Sequence, residues 1–449
     1  MKHLLFSLTI LLTLSVSAGL WKPEDFGAIV DDNKPDDMAF QAMFDAIPFN
    51  ERNVVIELYP GEYLFAETVF YPKYNRRRML IDGRHATLKM VGREKDILSP
   101  KGIAHESVGT ALENIDKLVV RDLSFEGGDT QLRLAATLNS EIENCEFHGG
   151  NRGADLVFCL MARVINCQFT RQKKEQLLVR SGQGDIVTGA PKYFSNATGQ
   201  NSQSNVVTVD GCRFFSEQNA HACIRNYASN SMNITNTVFE GLAPKHAVDY
   251  DDRNSTTCTY FYMHNIHIEH PMDPFTQSLI KVVQNGGLVH LDGIYSQTGR
   301  TVQVEAGGSI VKLSNWAYFP GGFKFKANKG GEWIFEDNKG LQGFDLASEG
   351  LWVGKPPYYI VDRYAGNTHA HSGYSVSLRN KEDYFSLEGD RINHTTSYQM
   401  DTGEAPSPAP KNLDNFEIGH MKRYVLIDPE TGEQRSYFIP LLQNKKEEQ

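Results

Sequence analysis

Four short stretches decide how this chain folds: VRDLSFEGG (120–128), IENCEFHGG (142–150), INCQF (165–169) and VDGCRFF (209–215). Laid over one another they share a polar or glycine residue, an inward position after it, and a second inward position two residues on. Working outward, ITNTVFEG (234–241), MHNIHIEH (263–270), HLDGIYS (290–296) and KLSNWAYF (312–319) keep the same columns. The first column reads Asp122, Asn144, Asn166, Gly211, Asn236, Asn265, Gly293, Asn315, and the second Leu123, Cys145, Cys167, Cys212, Thr237, Ile266, Ile294, Trp316. The third is Phe125, Phe147, Phe169, Phe214, Phe239, Ile268, Ser296, Tyr318. Alternation with period two predicts short strands, and a usual step of about 22 to 29 residues is too short for a strand-plus-helix unit. Each unit therefore reads as one coil of an all-β solenoid. Asn and Gly suit a left-handed bend between strands, and coils that cannot bury their apolar faces alone must stack.

The three cysteines Cys145, Cys167 and Cys212 recur at one register position, which favours stacked, reduced thiols over disulfides. The step from Cys167 to Cys212 is longer, and its surplus, GQGDIVTGAPKYFSNATGQNSQSN (182–205), reads as a polar loop leaving the coil. PDDMAFQAMFDAI (35–47) predicts a helix that caps the first coil, with Phe40, Met43, Phe44 and Ile47 on one face and Asp36 at its start. The first residues, MKHLLFSLTILLTLSVSA, have the charged start, apolar run and small-residue exit of a secretory signal peptide. The expected organisation is a signal peptide at 1–18, an entry segment with its helix at 19–50, a parallel β-helix at 51–345 and a C-terminal extension or cap at 346–449, with a linker at 403–410. Such a chain is expected to be secreted or periplasmic. The net charge of -10, with acids and bases interspersed, argues against nucleic acid as a partner, and no continuously apolar window of about 20 residues follows to insert in a membrane.

The opening WKPEDFGAIVDDNKPDDMAFQAMFDAI, followed by PGEYLF (60–65), resembles the pectate-lyase-like, right-handed parallel β-helix superfamily. Its members often begin with an Asp-Phe-Gly-Ala segment, an Asp-Asp pair and this capping helix. The resemblance implies the fold, and implies cleavage of a polysaccharide without choosing between hydrolase and lyase. The Asn-Thr-Asp, Gly-His-Gly and Arg-Ile-Lys set of polygalacturonases is missing.

A second strand follows each corner motif. Its inward residues align as Val179, Ile224, Val248, Ile280, Val304 and Phe325, which places Arg180, Arg225, Asp249, Lys281, Glu305 and Lys326 outward, and Gly182, Tyr227, Asp251, Val283, Gly307 and Asn328 two residues further on. KHAVDYDDRN (245–254) is then one rung of a ladder. Asp249 between Arg225 and Lys281 is expected to stay ionised, while Asp251, beside Tyr227 and another carboxylate, is expected to be the more easily protonated. An ionised and a protonated carboxylate are what glycoside hydrolysis requires, so Asp249, Asp251 and Asp252 are the catalytic candidates. Arg180, Arg225, Tyr227, His246, Arg253, Lys281 and Glu305 are candidates for binding substrate. The favoured reading is a hydrolase of an acidic polysaccharide. The alternatives are a lyase, with Arg180, Arg225 or Lys281 serving an uronate and calcium on Asp249, Asp251 and Glu305, and a non-catalytic carbohydrate-binding or structural solenoid, whose charges satisfy one another across a solvated sheet face. No other cofactor is implied. The histidines of MHNIHIEH read as structural, and His221, just before its strand, as a residue of the groove edge.

Overall fold

The computed structural model describes residues 19–72, 77–100, 115–182, 203–227, 230–252, 260–270, 278–296, 302–307, 309–315, 323–326, 332–336, 344–346, 351–354, 416–427 and 434–444. The expected signal peptide (1–18), most of the long loop and the expected linker (403–410) lie outside them. The described residues are nearly all β. Parallel strands stack into a seventeen-stranded sheet, which folds around the corner column, and an eleven-stranded sheet formed by the second strand of each coil. The parallel stacking continues to Leu351–Gly354, which pairs with Glu332–Glu336. Near the C-terminus, Phe416–Ile427 and Gln434–Asn444 form an antiparallel pair.

All eight corner residues adopt the left-handed backbone, with φ between 49° and 64°. Asparagine tolerates that conformation better than most side chains, and its amide reaches along the stack. Asn144 donates to Asp122 at 3.3 Å and Asn265 to Asn236 at 2.8 Å. Gly211 is required by the same ladder, because a Cβ there would lie 2.4 Å from Oδ1 of Asn166. One step inward, Cys145, Cys167 and Cys212 are buried and free of disulfides, and their thiols donate to Val120, Ile142 and Val164 carbonyls of preceding coils. Burial raises the Cys167 and Cys212 thiols well above the ordinary value, so they are inert packing groups.

The third column is a ladder of rings. Phe125, Phe147, Phe169, Phe214 and Phe239 face one another in register with centroids 5.0, 4.5, 4.8 and 5.2 Å apart and nearly parallel planes. Inside the coils, buried Gln131, Gln172 and Gln176 form a second polar ladder: Gln176 donates to Gln172, Gln172 to Gln131, and each also to a main-chain carbonyl. That satisfies acceptors where the chain bends between the sheets.

The helix Asp37–Ala46 covers the first coil, packing Phe40 edge-on against Tyr63 and Phe65. Asp36 does not cap it through its side chain, as the sequence suggested. Its carboxylate accepts instead from the amides of Ile29 and Leu64, tying the entry segment to the first coil.

The outer face of the eleven-stranded sheet carries charged side chains, several of them buried. Asp155 is 1% exposed and accepts from Arg180 at 2.9 and 3.0 Å and from Arg133 at 2.9 Å, while Arg133 also pairs with Asp96. Burial alone would raise the Asp155 carboxyl, but the two guanidinium groups overcome it and bring it to about 2.

Two outcomes are expected. Phe169→Ala should cost about 3–5 kcal/mol in denaturant unfolding, because the hole opens in the middle of a rigid stack. Asp155, depressed below its unfolded value of about 3.9, contributes stability that is complete above about pH 5 and lost as pH falls toward 2. Asp155→Asn should therefore be less stable than wild type at pH 7 and lose less stability between pH 5 and pH 2, measured by denaturant titration at each pH.

Candidate functional site

The candidate residues sit on the outward face of the eleven-stranded sheet, and its hydrogen-bonded register fixes who faces whom. One column runs Arg133, Asp155, Leu178, Arg225, Asp249, Lys281 and Gln303. The next, two residues on, runs Ala135, Val157, Arg180, Tyr227, Asp251, Val283 and Glu305. Asp249 thus stands between Arg225 and Lys281, and Asp251 between Tyr227 and Val283, as the alternation required.

Three residues shift by one column, Arg180, Glu305 and, opposite Glu305, Lys326. Arg180 stands opposite Tyr227, leaving Leu178 beside Arg225. Glu305 stands opposite Val283, leaving Gln303 beside Lys281. The reason is physical: a slip of two residues keeps every side chain on its own face, so in-and-out patterning cannot detect it. In Glu175–Arg180 the consecutive residues Leu177, Leu178 and Val179 are all buried, which removes the remaining cue. The shift moves Arg180 away from Asp249 and onto Asp155.

Asp252 leaves the site altogether. Alternation carries its side chain to the inside of the coil, where the Tyr250 hydroxyl donates to it at 3.2 Å and it is 1% exposed. Arg253 lies outside the described residues.

The ladder is also not solvated, as a self-pairing surface would be. Arg225 and Asp249 are only 5% and 4% exposed and close a continuous chain of charge. Lys174 and Arg152 hold Asp129, Arg152 and Arg225 hold Glu175, and Arg225 and Lys281 each reach Asp249 at 3.4 Å. Burial pushes the Asp249 carboxyl upward, but a hydrogen bond from His221 and the charges of Lys281 and Arg225 outweigh it and hold the group far below the usual carboxylate range. Opposed charges at this depth interact more strongly than at the surface, and removing one leaves the other uncompensated.

His221 is the residue that completes the site. Its Nε2 lies 3.0 Å from Oδ2 of Asp249, and its side chain is 22% exposed against 6% for Asp249. The sequence placed it at the groove edge without identifying its partner, since the residue precedes its strand and lies outside the alternating columns. His246 is buried beneath it, with ring centroids 5.8 Å apart. Burial lowers that imidazole to about 4, and its Nδ1–H donates to the Ser278 carbonyl at 2.6 Å. His246 is therefore a neutral support at pH 7 and does not present a charge to a sugar.

The open mouth of the site is made by His221, Lys281, Tyr227 and Asp251, all half-buried. The Arg225 guanidinium sits 5.8 Å from the centre of the Tyr227 ring. A calcium ion on Asp249 does not fit this arrangement, because the carboxylate already faces Arg225, Lys281 and His221. Among the described residues no group of three or more His, Cys, Asp or Glu side chains is arranged to hold a metal.

No family model and no curated protein matches the chain. Among solved structures it is similar to PfbA, a surface adhesin of Streptococcus pneumoniae, with a TM-score of 0.52 and 12% identity over 94% of this chain and 98% of that one. The A-module of the Azotobacter vinelandii mannuronan C-5 epimerase AlgE6 follows at 0.42, with 14% identity over 80% of this chain and 98% of the other. A family 28 exopolygalacturonase of Yersinia enterocolitica follows at 0.39, with 9% identity over 69% and 78%. At such identities the likeness concerns the fold alone: the chain is a parallel β-solenoid, as its columns imply.

Proposed function

We propose that this chain is an exported enzyme acting on an acidic polysaccharide, and that it removes the proton next to a uronate carboxylate and so eliminates the glycosidic oxygen. The observation that supports this most is the His221–Asp249 pair. An ionised Asp249 accepts Nε2–H of His221, which leaves Nδ1 as the lone pair able to take a proton. Among the described residues Nδ1 has no hydrogen-bond partner, and the ring is partly open to solvent.

Lys281, 28% exposed and one rung along, is placed to hold the substrate carboxylate. Neutralising that charge acidifies the neighbouring C–H, the step that limits such eliminations. His221 then takes the proton, the C–H electron pair forms a carbon–carbon double bond, and the bond to the departing glycosidic oxygen breaks. Tyr227, in the next column and beside the Arg225 charge, is placed to give that oxygen a proton. Asp251, directly opposite Tyr227, is placed to accept from a sugar hydroxyl.

The paired-carboxylate hydrolase favoured on the sequence fits less well. It needs both carboxylates against the sugar, whereas Asp249 is 6% exposed and its oxygens face two cations and a histidine. The buried charge chain does favour a second reading, a non-catalytic solenoid, because ion pairs of this kind also hold the stack together.

The test is product analysis with three variants. His221→Ala and Lys281→Ala should each lower release of unsaturated ends from a uronate polymer by roughly 10²–10⁴ while the protein still unfolds cooperatively. Tyr227→Phe should keep binding and lower turnover. Saturated ends, with activity that depends on Asp251 and not on His221, would restore the hydrolase. A polymer that is bound and never shortened would make this face a recognition surface.

A further inference from the structure

The outward face of the other sheet carries a second feature, remote in register from the site above. Near the first coils a cleft of about 380 Å³ opens over the strands Asn53–Glu57, Arg78–Met90 and Lys117–Glu126, at the lower end of the range for ligand pockets. Its floor is a half-buried row, Val55, Leu80 and Val119, that stand opposite one another. At the start of the same strands, Arg78 stands directly opposite Lys117, and both are exposed.

Like charges on facing rungs about 4.8 Å apart repel and are normally avoided or relieved by an acid. The neighbouring rows show that relief: Arg121 pairs with Asp82 at 2.7 Å and Arg163 with Glu141 at 3.2 Å. Among the described residues Arg78 and Lys117 have no ion-pair partner; of the two acids at the cleft's other rim, Glu141 pairs with Arg163 and Glu143 stands opposite Arg121. An apolar floor beside an uncompensated pair of cations asks for a ligand with a flat apolar face and one anionic group. A uronate ring has both: axial C–H groups on one face and a carboxylate at its edge.

We infer that this cleft is a second, non-catalytic site for an acidic saccharide, with Arg78 and Lys117 holding a carboxylate and Val55, Leu80 and Val119 supporting the ring. The site would anchor a polymer whose other sugars reach the His221 face, or hold the protein on its polymer if that face is not catalytic. It shares the acidic-sugar ligand with the proposed function but not its chemistry.

Titration of the full chain with a defined oligogalacturonate, by calorimetry, reads the two sites apart when made in the His221→Ala/Lys281→Ala background. Binding should persist there and fall about tenfold or more on adding Arg78→Ala/Lys117→Ala, since each removes a charge-assisted contact. A neutral oligoglucan of the same length should not bind at the cleft. Leu80→Ser, which keeps both charges, should weaken oligogalacturonate and leave inorganic sulfate unaffected. Undiminished oligogalacturonate binding after loss of both cations would overturn the inference, as would binding of sulfate as tight as that of the oligomer. These results are independent of whether unsaturated ends are ever released.

Discussion

The whole structure depends on a backbone constraint: at the same corner of successive coils the chain must take the left-handed bend. Residues with a Cβ adopt it reluctantly, and asparagine and glycine are the side chains that ease it. Because each bend is followed by the same number of residues to the next inward position, fixing the corners also fixes the thiol column and the phenylalanine ladder. The rings from Phe125 to Phe239 stack because Asp122, Asn144, Asn166, Gly211 and Asn236 set the start of each strand alike. Asparagine amides bonding along the axis then make neighbouring coils share the cost of the bend.

A stack locked in this way can carry unusual charge on its surface. Arg180, Asp155 and Arg133 on one side, and Glu175, Arg225 and Asp249 on the other, are almost fully buried. Such groups lose hydration and recover it only through partners held at fixed spacing. The sheet supplies that spacing, one rung at a time. The result is an Asp249 that stays ionised in a site sheltered from water, facing a histidine that is not fully sheltered. Geometry of this kind belongs to the scaffold, and the half-open residues at its edge are the ones to which the proposed function gives the substrate.

The sequence revealed the architecture because corner, thiol and ring columns recur together in coil after coil, as stacked short strands require. It also placed Asp249 between Arg225 and Lys281, since HAVDYD and IKVVQN both carry clear alternation. It misplaced Arg180, Glu305 and Lys326 by two residues, a slip that leaves the faces unchanged and so leaves no trace in the pattern. It put Asp252 with the other aspartates because adjacency in the chain obscured its opposite side. It could not pair His221 with Asp249, a contact across 28 residues from a position outside the strand.

The central claim is that an Asp249-supported histidine removes a carbon-bound proton. Running the reaction on a uronate polymer in deuterated water and following the sugar carbon next to the carboxylate tests it most directly. Unsaturated ends are expected from the wild type, and in the Tyr227→Phe protein, where departure of the oxygen is slowed, deuterium entering that carbon of uncleaved substrate. Cleavage to saturated ends, with the proton on that carbon retained, would contradict it.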